Sequence, residues 1–293
     1  MAEPTTAGEL IAEGARRMKR SPAIDHYPAD RERWDAEALL AFVLGLDPDR
    51  QVPEDEWEVD ARQRRRFRDL VRRRAGGEPI AHIIGWTMFR GLRLPVRPGT
   101  FIPRASSEFL TFQAARRLKG RRRPVAVDLA TGIGPVAMAM ANEARRSEVH
   151  GTDFSADAIR RARANARALR IRNATFHVGD MLEALPNRIR GSVDAMTLHP
   201  PYVPKGEVED LPLEIRNFEP EAVLTDGSPH GLGLVERAVL EGREWLRPGG
   251  WLLIEVSPDF ARPVRSLFVR GGLRDVRSTK GWPQVTRVVV GRA

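Results

Sequence analysis

Between Val125 and Leu198 short apolar runs alternate with helical stretches, and the runs end on chemically marked residues. Val125-Ala126-Val127-Asp128-Leu129 reads as a buried strand, and Ala130-Thr131-Gly132-Ile133-Gly134 turns it into an Ala/Met-rich helix over Val136 to Ala144. Val149 to Asp153 is a second strand, and Ser155 caps a helix that turns Ala158, Ile159, Ala162, Ala166 and Leu169 inward. Thr175 to Val178 and Val193 to Leu198 follow as further strands. Strands alternating with helices of this length close into a mostly parallel α/β sheet, because a parallel return needs a crossover. Leu232 to Leu246 reads as helix, Pro248-Gly249-Gly250 as a turn, and Trp251 to Val256 and Thr286 to Val290 as the last strands.

The preceding chain has another character. Residues 7 to about 76 read as three helices separated by proline-containing loops at 22–28 and 48–53. Trp34, Ala38, Phe42 and Val43 recur at helical spacing with Asp30 as the expected cap; Asp60 opens the next helix, where Phe67, Leu70 and Val71 form a narrow apolar stripe, and Gly76-Gly77 ends it. Phe89-Arg90-Gly91-Leu92-Arg93-Leu94-Pro95-Val96 alternates like two strands around a glycine turn. The expected organisation is a helical domain over residues 1–85, a β-hairpin linker over 86–104 and an α/β domain over 105–293.

Composition narrows the chemistry. The 293 residues contain no Cys, so disulfides, thiolate metal sites and a cysteine nucleophile are excluded. His26, His82, His150, His177, His199 and His230 never fall at metal-ligand spacing, so no metal is expected. No run of about twenty apolar residues is present and the start lacks a signal-peptide pattern, which leads to the expectation of a cytoplasmic protein without a membrane span. The net charge of +9 comes mostly from arginine, clustered at Arg62 to Arg74 and Arg116 to Arg123. Two readings stay open for these clusters: contact with RNA, a ribosome-bound partner or an acidic protein, and a solvated helix face.

Three places carry candidate chemistry. Gly132 and Gly134 sit where a strand passes into a helix, and glycine there allows positive φ and lets a ligand approach the backbone. No Gly-Lys-Ser/Thr follows, so this is not a phosphate loop. Asp153 ends the next strand about twenty residues on, where an acid accepts hydrogen bonds from ribose hydroxyls. Asp180 follows the next strand and is placed to meet an adenine edge, or else to cap the segment that begins at Met181. Finally, His199-Pro200-Pro201-Tyr202 closes an apolar strand, at the sheet edge where open α/β folds bind ligands. The glycine turn and Asp153 also permit a nicotinamide cofactor; the Pro-Pro-Tyr loop is unexplained by that reading, and no Tyr-x-x-x-Lys pair is seen.

As a set these segments resemble the release-factor glutamine methyltransferases, a family of S-adenosylmethionine-dependent N-methyltransferases. Gly77-Glu78-Pro79-Ile80-Ala81-His82-Ile83-Ile84-Gly85 is similar to the end of that family's helical domain, and Phe101-Ile102-Pro103-Arg104 with Glu108 to its entry into the catalytic domain. Asp128 to Gly134 resembles its cofactor loop, Thr152-Asp153 its ribose acid, Gly179-Asp180-Met181 its adenine-side loop, and Pro248-Gly249-Gly250 with Glu255 its late strand. Phe218-Glu219-Pro220, Leu224 to Gly227 and Gly231-Leu232 follow its long loop after the catalytic motif.

The resemblance implies a Rossmann-like class I methyltransferase sheet, mostly parallel and seven-stranded, beside a small helical substrate-docking domain. It implies that Phe101, Arg104, Asp128, Ala130, Thr131, Gly132 and Gly134 hold S-adenosylmethionine together with Asp153, Phe154, Asp180, Met181 and His199. It also implies that His199, Pro200, Pro201 and Tyr202 orient a planar acceptor, in a release factor-like protein. Three departures stand out: Ala130 replaces a glycine, a conformation acceptable to alanine if its φ is negative; Ala105-Ser106-Ser107 replaces Pro-Glu-Thr; and His199 replaces the Asn of Asn-Pro-Pro-Tyr. The family's Asn is implied to hold a carboxamide, whereas a neutral imidazole offers one donor and one acceptor. Alternatives therefore remain: another planar nitrogen, in RNA or a small metabolite; a hydroxyl or ammonium acceptor with His199 as general base; or a basic binding module without activity.

Overall fold

The computed structural model describes residues 5–281 and 286–293. They fall into two compact units. One holds the chain up to Met88 with Pro95–Gly99 and Glu209–Pro220; the other holds Phe89–Leu94, Thr100–Val208 and Glu221–Ala293. Residues 209–220, which the sequence reading placed in the α/β domain, thus cluster with the helices, while 89–94 and 100–104 of the expected linker cluster with the sheet.

The helical unit contains α1 (Ala7–Lys19), α2 (Arg31–Leu44), α3 (Ala61–Ala75) and the short α4 (Ile80–Ile84). Thr6 with Glu9, and Asp60 with Gln63, form capping boxes on α1 and α3. Asp30 does not cap α2 through its side chain: its backbone is left-handed (φ 67°), and its carbonyl instead accepts from the amides of Arg33 and Trp34. The buried face of α2 is Ala36, Leu39, Leu40 and Val43, while Trp34 is 54% exposed. Arg74 is wholly buried; it donates to Asp35 Oδ2 (2.7 Å) and to Glu214 Oε2 (2.7 Å). Glu214 lies on α8 (Leu213–Arg216) and also receives Arg31 through both oxygens at 2.7 and 3.0 Å. Much of the first arginine cluster is likewise engaged: Arg68 pairs with Glu13, Arg72 with Asp69, Arg73 with Glu78, and Arg66 lies over Phe42.

A hairpin of β1 (Trp86–Phe89) and β2 (Leu92–Pro95) turns through Arg90 (φ 49°) and Gly91 (φ 75°), two successive left-handed residues whose twist matches the strands. The larger unit then runs α5 (Ser107–Leu118), β3 (Val125–Leu129), α6 (Pro135–Glu143), β4 (Glu148–Asp153), α7 (Ala156–Ala168), β5 (Ala174–Val178), β6 (Val193–Leu198), α9 (Gly233–Gly242), β7 (Leu246–Val256), α10 (Ala261–Arg270), β8 (Arg274–Lys280) and β9 (Arg287–Arg292). Its strands form one seven-stranded sheet in the order β5-β4-β3-β6-β7-β9-β8, parallel except for β9, which runs antiparallel to both its neighbours. Strand alternation sorts the core into two layers. Ala126, Ala195 and Leu253 pack with α5, α6 and α7, whereas Val127, Met196 and Ile254 pack with α9 and α10.

Two expectations shift here. The helix expected to reach Leu246 stops at Gly242, because the Trp245 carbonyl accepts from the Val193 amide and the chain enters the sheet early. Pro248-Gly249-Gly250 then lies within β7, where the pairing jumps from Val193↔Leu246 to Ala195↔Trp251. Strand β8 escaped sequence reading because it is a solvent-facing edge with no apolar alternation.

Candidate active site

The strand order reverses its sense of growth at β3: β4 and β5 lie to one side, β6 and β7 to the other, so a crevice opens at the carboxyl ends of β3 and β6. The register decides which residues meet there. Leu129 pairs with Thr152 and with Leu198, and Leu198 pairs with Ile254. The next residue on each strand, namely Ala130, Asp153, His199 and Glu255, therefore stands on one row along this edge.

At β3, Asp128 is 3% exposed and accepts from the hydroxyls of Thr131 (2.5 Å) and Thr197 (2.7 Å). Burial pushes its carboxyl up to about 6, against the pull of those hydrogen bonds. Asp128 thereby braces the turn against β6 from beneath. Ala130 has φ +51°, so the negative φ that alanine prefers is not adopted. The neighbouring braces impose this conformation: Thr131 is bonded to Asp128, and its amide donates to the Thr152 carbonyl. Gly132 (φ +56°) faces open space, with nothing within 4 Å of a built Cβ, whereas at Gly134 a Cβ would sit 2.8 Å from the Phe176 ring. Of the two glycines, one leaves room at the crevice and the other lets helix and sheet close together.

Asp153 is buried, and both its oxygens face backbone donors: Gly132 N–H reaches Oδ2 (2.8 Å) and Ser155 N–H reaches Oδ1 (2.9 Å). Burial raises its carboxyl, and these two amides counter the rise. Each oxygen keeps a lone pair for a further donor, as a ribose diol requires. Phe154, next in line, presents a ring that is 61% exposed. Asp180 does not cap the 3-10 turn at Met181–Ala184; its Oδ2 instead receives Arg237 of α9 at 2.8 Å, and the side chain stays exposed. Met181 is buried with φ +47°.

The late loop gathers around His199. Phe101 meets the imidazole edge-on at 5.5 Å, with the Arg104 guanidinium 4.6 Å over the Phe101 ring. Tyr202 stacks on the imidazole at 5.8 Å and 24°. Nδ1 of His199 lies 2.9 Å from Ser107 Oγ and 3.8 Å from Glu255 Oε2. Burial lowers the imidazole pKa; Glu255 opposes that and Arg104 reinforces it, so the ring is neutral at pH 7. Burial pushes the Tyr202 phenol up to about 12, so it remains protonated. Tyr202 bridges to Thr225, and Gly231 (φ +66°) packs so closely on the Tyr202 carbonyl that a Cβ would fall 2.1 Å from it.

No sequence pattern marks a role for Ser107, Thr197, Arg237 or Gly231. Glu255 carried a signal, since it is the lone charge in Trp251 to Val256, an otherwise apolar strand. Among the described residues no cluster of three His, Cys, Asp or Glu could hold a metal, and no helix is long and apolar enough to cross a membrane.

Residues 9–85 match the PrmC N-terminal domain and residues 123–257 a methyltransferase domain. A release factor glutamine methyltransferase from Coxiella burnetii is 33% identical over 260 residues, spanning 89% of this chain and 91% of that one. The one from Xylella fastidiosa is 35% identical over 261 residues, spanning 89% and 93%. The chain belongs to this family of methyltransferases. A 16S rRNA methyltransferase from T. Thermophilus, solved with AdoMet and guanosine, shares the fold at 19% identity and a TM-score of 0.51 over 71% of this chain and 49% of its own. The family is S-adenosylmethionine-dependent. The residues fit that group: the space over Gly132, the half-used carboxylate of Asp153 and the exposed Phe154 ring supply room, a diol acceptor and an apolar face.

Proposed function

We propose that this protein methylates the side-chain amide nitrogen of a glutamine in a release factor. The observation that carries this reading is the single row Ala130, Asp153, His199 and Glu255 at the sheet edge, in a chain that matches named release factor glutamine methyltransferases over nine-tenths of its length. S-adenosylmethionine, when bound, supplies an electrophilic methyl on a sulfonium. Gly132, Asp153, Phe154 and Met181 are proposed to hold it, with Gly134 packing the turn beneath them and Asp180 at the adenine side. His199 accepts an amide N–H of the acceptor, and the Pro200 carbonyl accepts the other. Pro201 and Tyr202 sandwich the planar group and fix its approach. Most of the rate would then come from positioning: with the methyl supplied by the sulfonium, His199 and the Pro200 carbonyl would fix the acceptor nitrogen in line with it, and the neutral His199 ring, already accepting an N–H, would be placed to take the proton released. A release factor as acceptor places the reaction with the ribosomes, in the cytoplasm.

The test incubates the protein with labelled S-adenosylmethionine and a purified release factor. Label is expected in the wild-type factor and lost when its acceptor glutamine is replaced by alanine. Label appearing only in RNA or a small molecule would refute the glutamine reading and favour the other planar nitrogen that His199, in place of Asn, leaves open. Calorimetry with S-adenosylhomocysteine checks the site: Asp153→Ala removes two charge-assisted bonds worth roughly 1.5–3 kcal/mol each, an expected loss of at least about 100-fold in affinity. Equal affinity would remove the ribose assignment.

A further inference from the structure

Glu255 is wholly buried on β7, and neither carboxylate oxygen has a hydrogen-bond partner among the described residues. A carboxyl oxygen buried without a partner costs free energy unless a donor or positive dipole faces it. Among the described residues, His199 Nδ1 faces it at 3.8 Å. The same Nδ1 lies 2.9 Å from Ser107 Oγ at the start of α5, while Nε2 has no hydrogen-bond partner among the described residues and the side chain keeps 16% of its surface exposed. Ser107 belongs to the segment that departs from the family pattern, as does His199, so two departures touch each other.

We propose that Ser107 and Glu255 are positioning residues that hold the His199 proton on Nδ1, leaving the Nε2 lone pair to accept an N–H from the acceptor amide. This rests on the glutamine reading above for the identity of that N–H, though not for the tautomer. A bare Nδ1 lone pair would face the lone pairs of Glu255 Oε2 with like sign, in a dry environment where such repulsion is large. A protonated Nδ1 donates to Ser107 Oγ and points its dipole toward Glu255. A neutral imidazole has one donor and one acceptor, so fixing the donor fixes the acceptor on the other nitrogen. The ring then presents a single acceptor toward the crevice, which is the half of a carboxamide that receives an N–H. Phe101 and Tyr202 keep the ring from turning, and Arg104, the cation nearby, disfavours a second proton.

The experiment is nitrogen-15 NMR of the full chain labelled on histidine, with His199 assigned by the signals missing in His199→Gln. In wild type at pH 7.5 the proton is expected on Nδ1. In Glu255→Gln a side-chain amide donor faces Nδ1, so the proton moves to Nε2, and KM for the acceptor rises by about tenfold with donor affinity unchanged. Ser107→Ala lowers the Nδ1-protonated fraction and Ser107→Thr restores it. A wild-type proton on Nε2, or a tautomer indifferent to both Glu255→Gln and Ser107→Ala, overturns the proposal. If Glu255→Gln does not fold, the wild-type spectrum and the Ser107 pair still decide. A wild-type proton on Nδ1 without methylation of any glutamine would sink the acceptor reading while leaving the tautomer assignment standing.

Discussion

Replacing Gly132 and Gly134 with alanine, one at a time, separates the two jobs done within one turn. Both sit at positive φ, so each substitution carries the left-handed cost of roughly 1–2 kcal/mol. At Gly132 nothing lies within 4 Å of the new methyl, so that strain is the whole cost to the fold. At Gly134 the methyl would stand 2.8 and 3.0 Å from Phe176 ring carbons and 3.2 Å from Ala162 Cβ. Phe176 is buried and cannot swing away, so overpacking adds roughly 1–3 kcal/mol. The expected total is about 2–5 kcal/mol for Gly134→Ala, against about 1–2 kcal/mol for Gly132→Ala. In a thermal melt at roughly 2–4 °C per kcal/mol, Gly134→Ala should fall well below Gly132→Ala. Calorimetry with S-adenosylhomocysteine should reverse the order. The Gly132 methyl enters the space assigned to the ligand and lowers affinity by more than about tenfold, while folded Gly134→Ala binds nearly as wild type. Wild-type affinity in Gly132→Ala would refute the placement of the ligand over this turn.

Arg74→Met leaves Asp35 without its cation and Glu214 with Arg31 alone; a loss of roughly 3 kcal/mol is expected by urea denaturation, and a change below about 1 kcal/mol would show that the buried pairing adds nothing. Asp128 has its folded pKa raised from 3.8 to about 6, so its contribution is fully present below pH 3.8 and is lost as pH rises through 6. The stability of wild type relative to Asp128→Asn should therefore fall by about 3 kcal/mol between those limits, and a pH-independent difference would contradict the burial argument. Ala130→Gly relieves a left-handed alanine and should stabilise the protein by up to about 1 kcal/mol; a lower melting temperature would show that the turn is not strained there.

The strands of the parallel sheet were legible because each is a short apolar run closed by a turn residue, and β-pairing rewards that pattern wherever the run is buried on both faces. Asp60 and Ser155 were readable as caps because their side chains meet amides three residues on, a purely local bond. Asp30 looked the same and failed, since a left-handed backbone, set by its surroundings, overrode the local preference. The arginines of α3 read as a solvated or nucleic-acid-binding face; their acidic partners at Glu13, Asp35 and Glu214 are far away in sequence and carry no local signal.

The candidate site divides in the same manner. Asp153, Gly132 and the His-Pro-Pro-Tyr loop announced themselves through spacing to strand ends, because the chain itself fixes how far a turn lies from a sheet edge. That Ser107 and Glu255 converge on one imidazole nitrogen was invisible, since they come from α5 and β7 and meet only through packing and strand register. Local order and periodicity thus established the sheet, its ligand edge and the residue types along it. Tertiary structure alone decided which of those residues face open space, which brace their neighbours, and which side chains meet at the His199 imidazole, because distance in space and burial are properties no stretch of sequence contains.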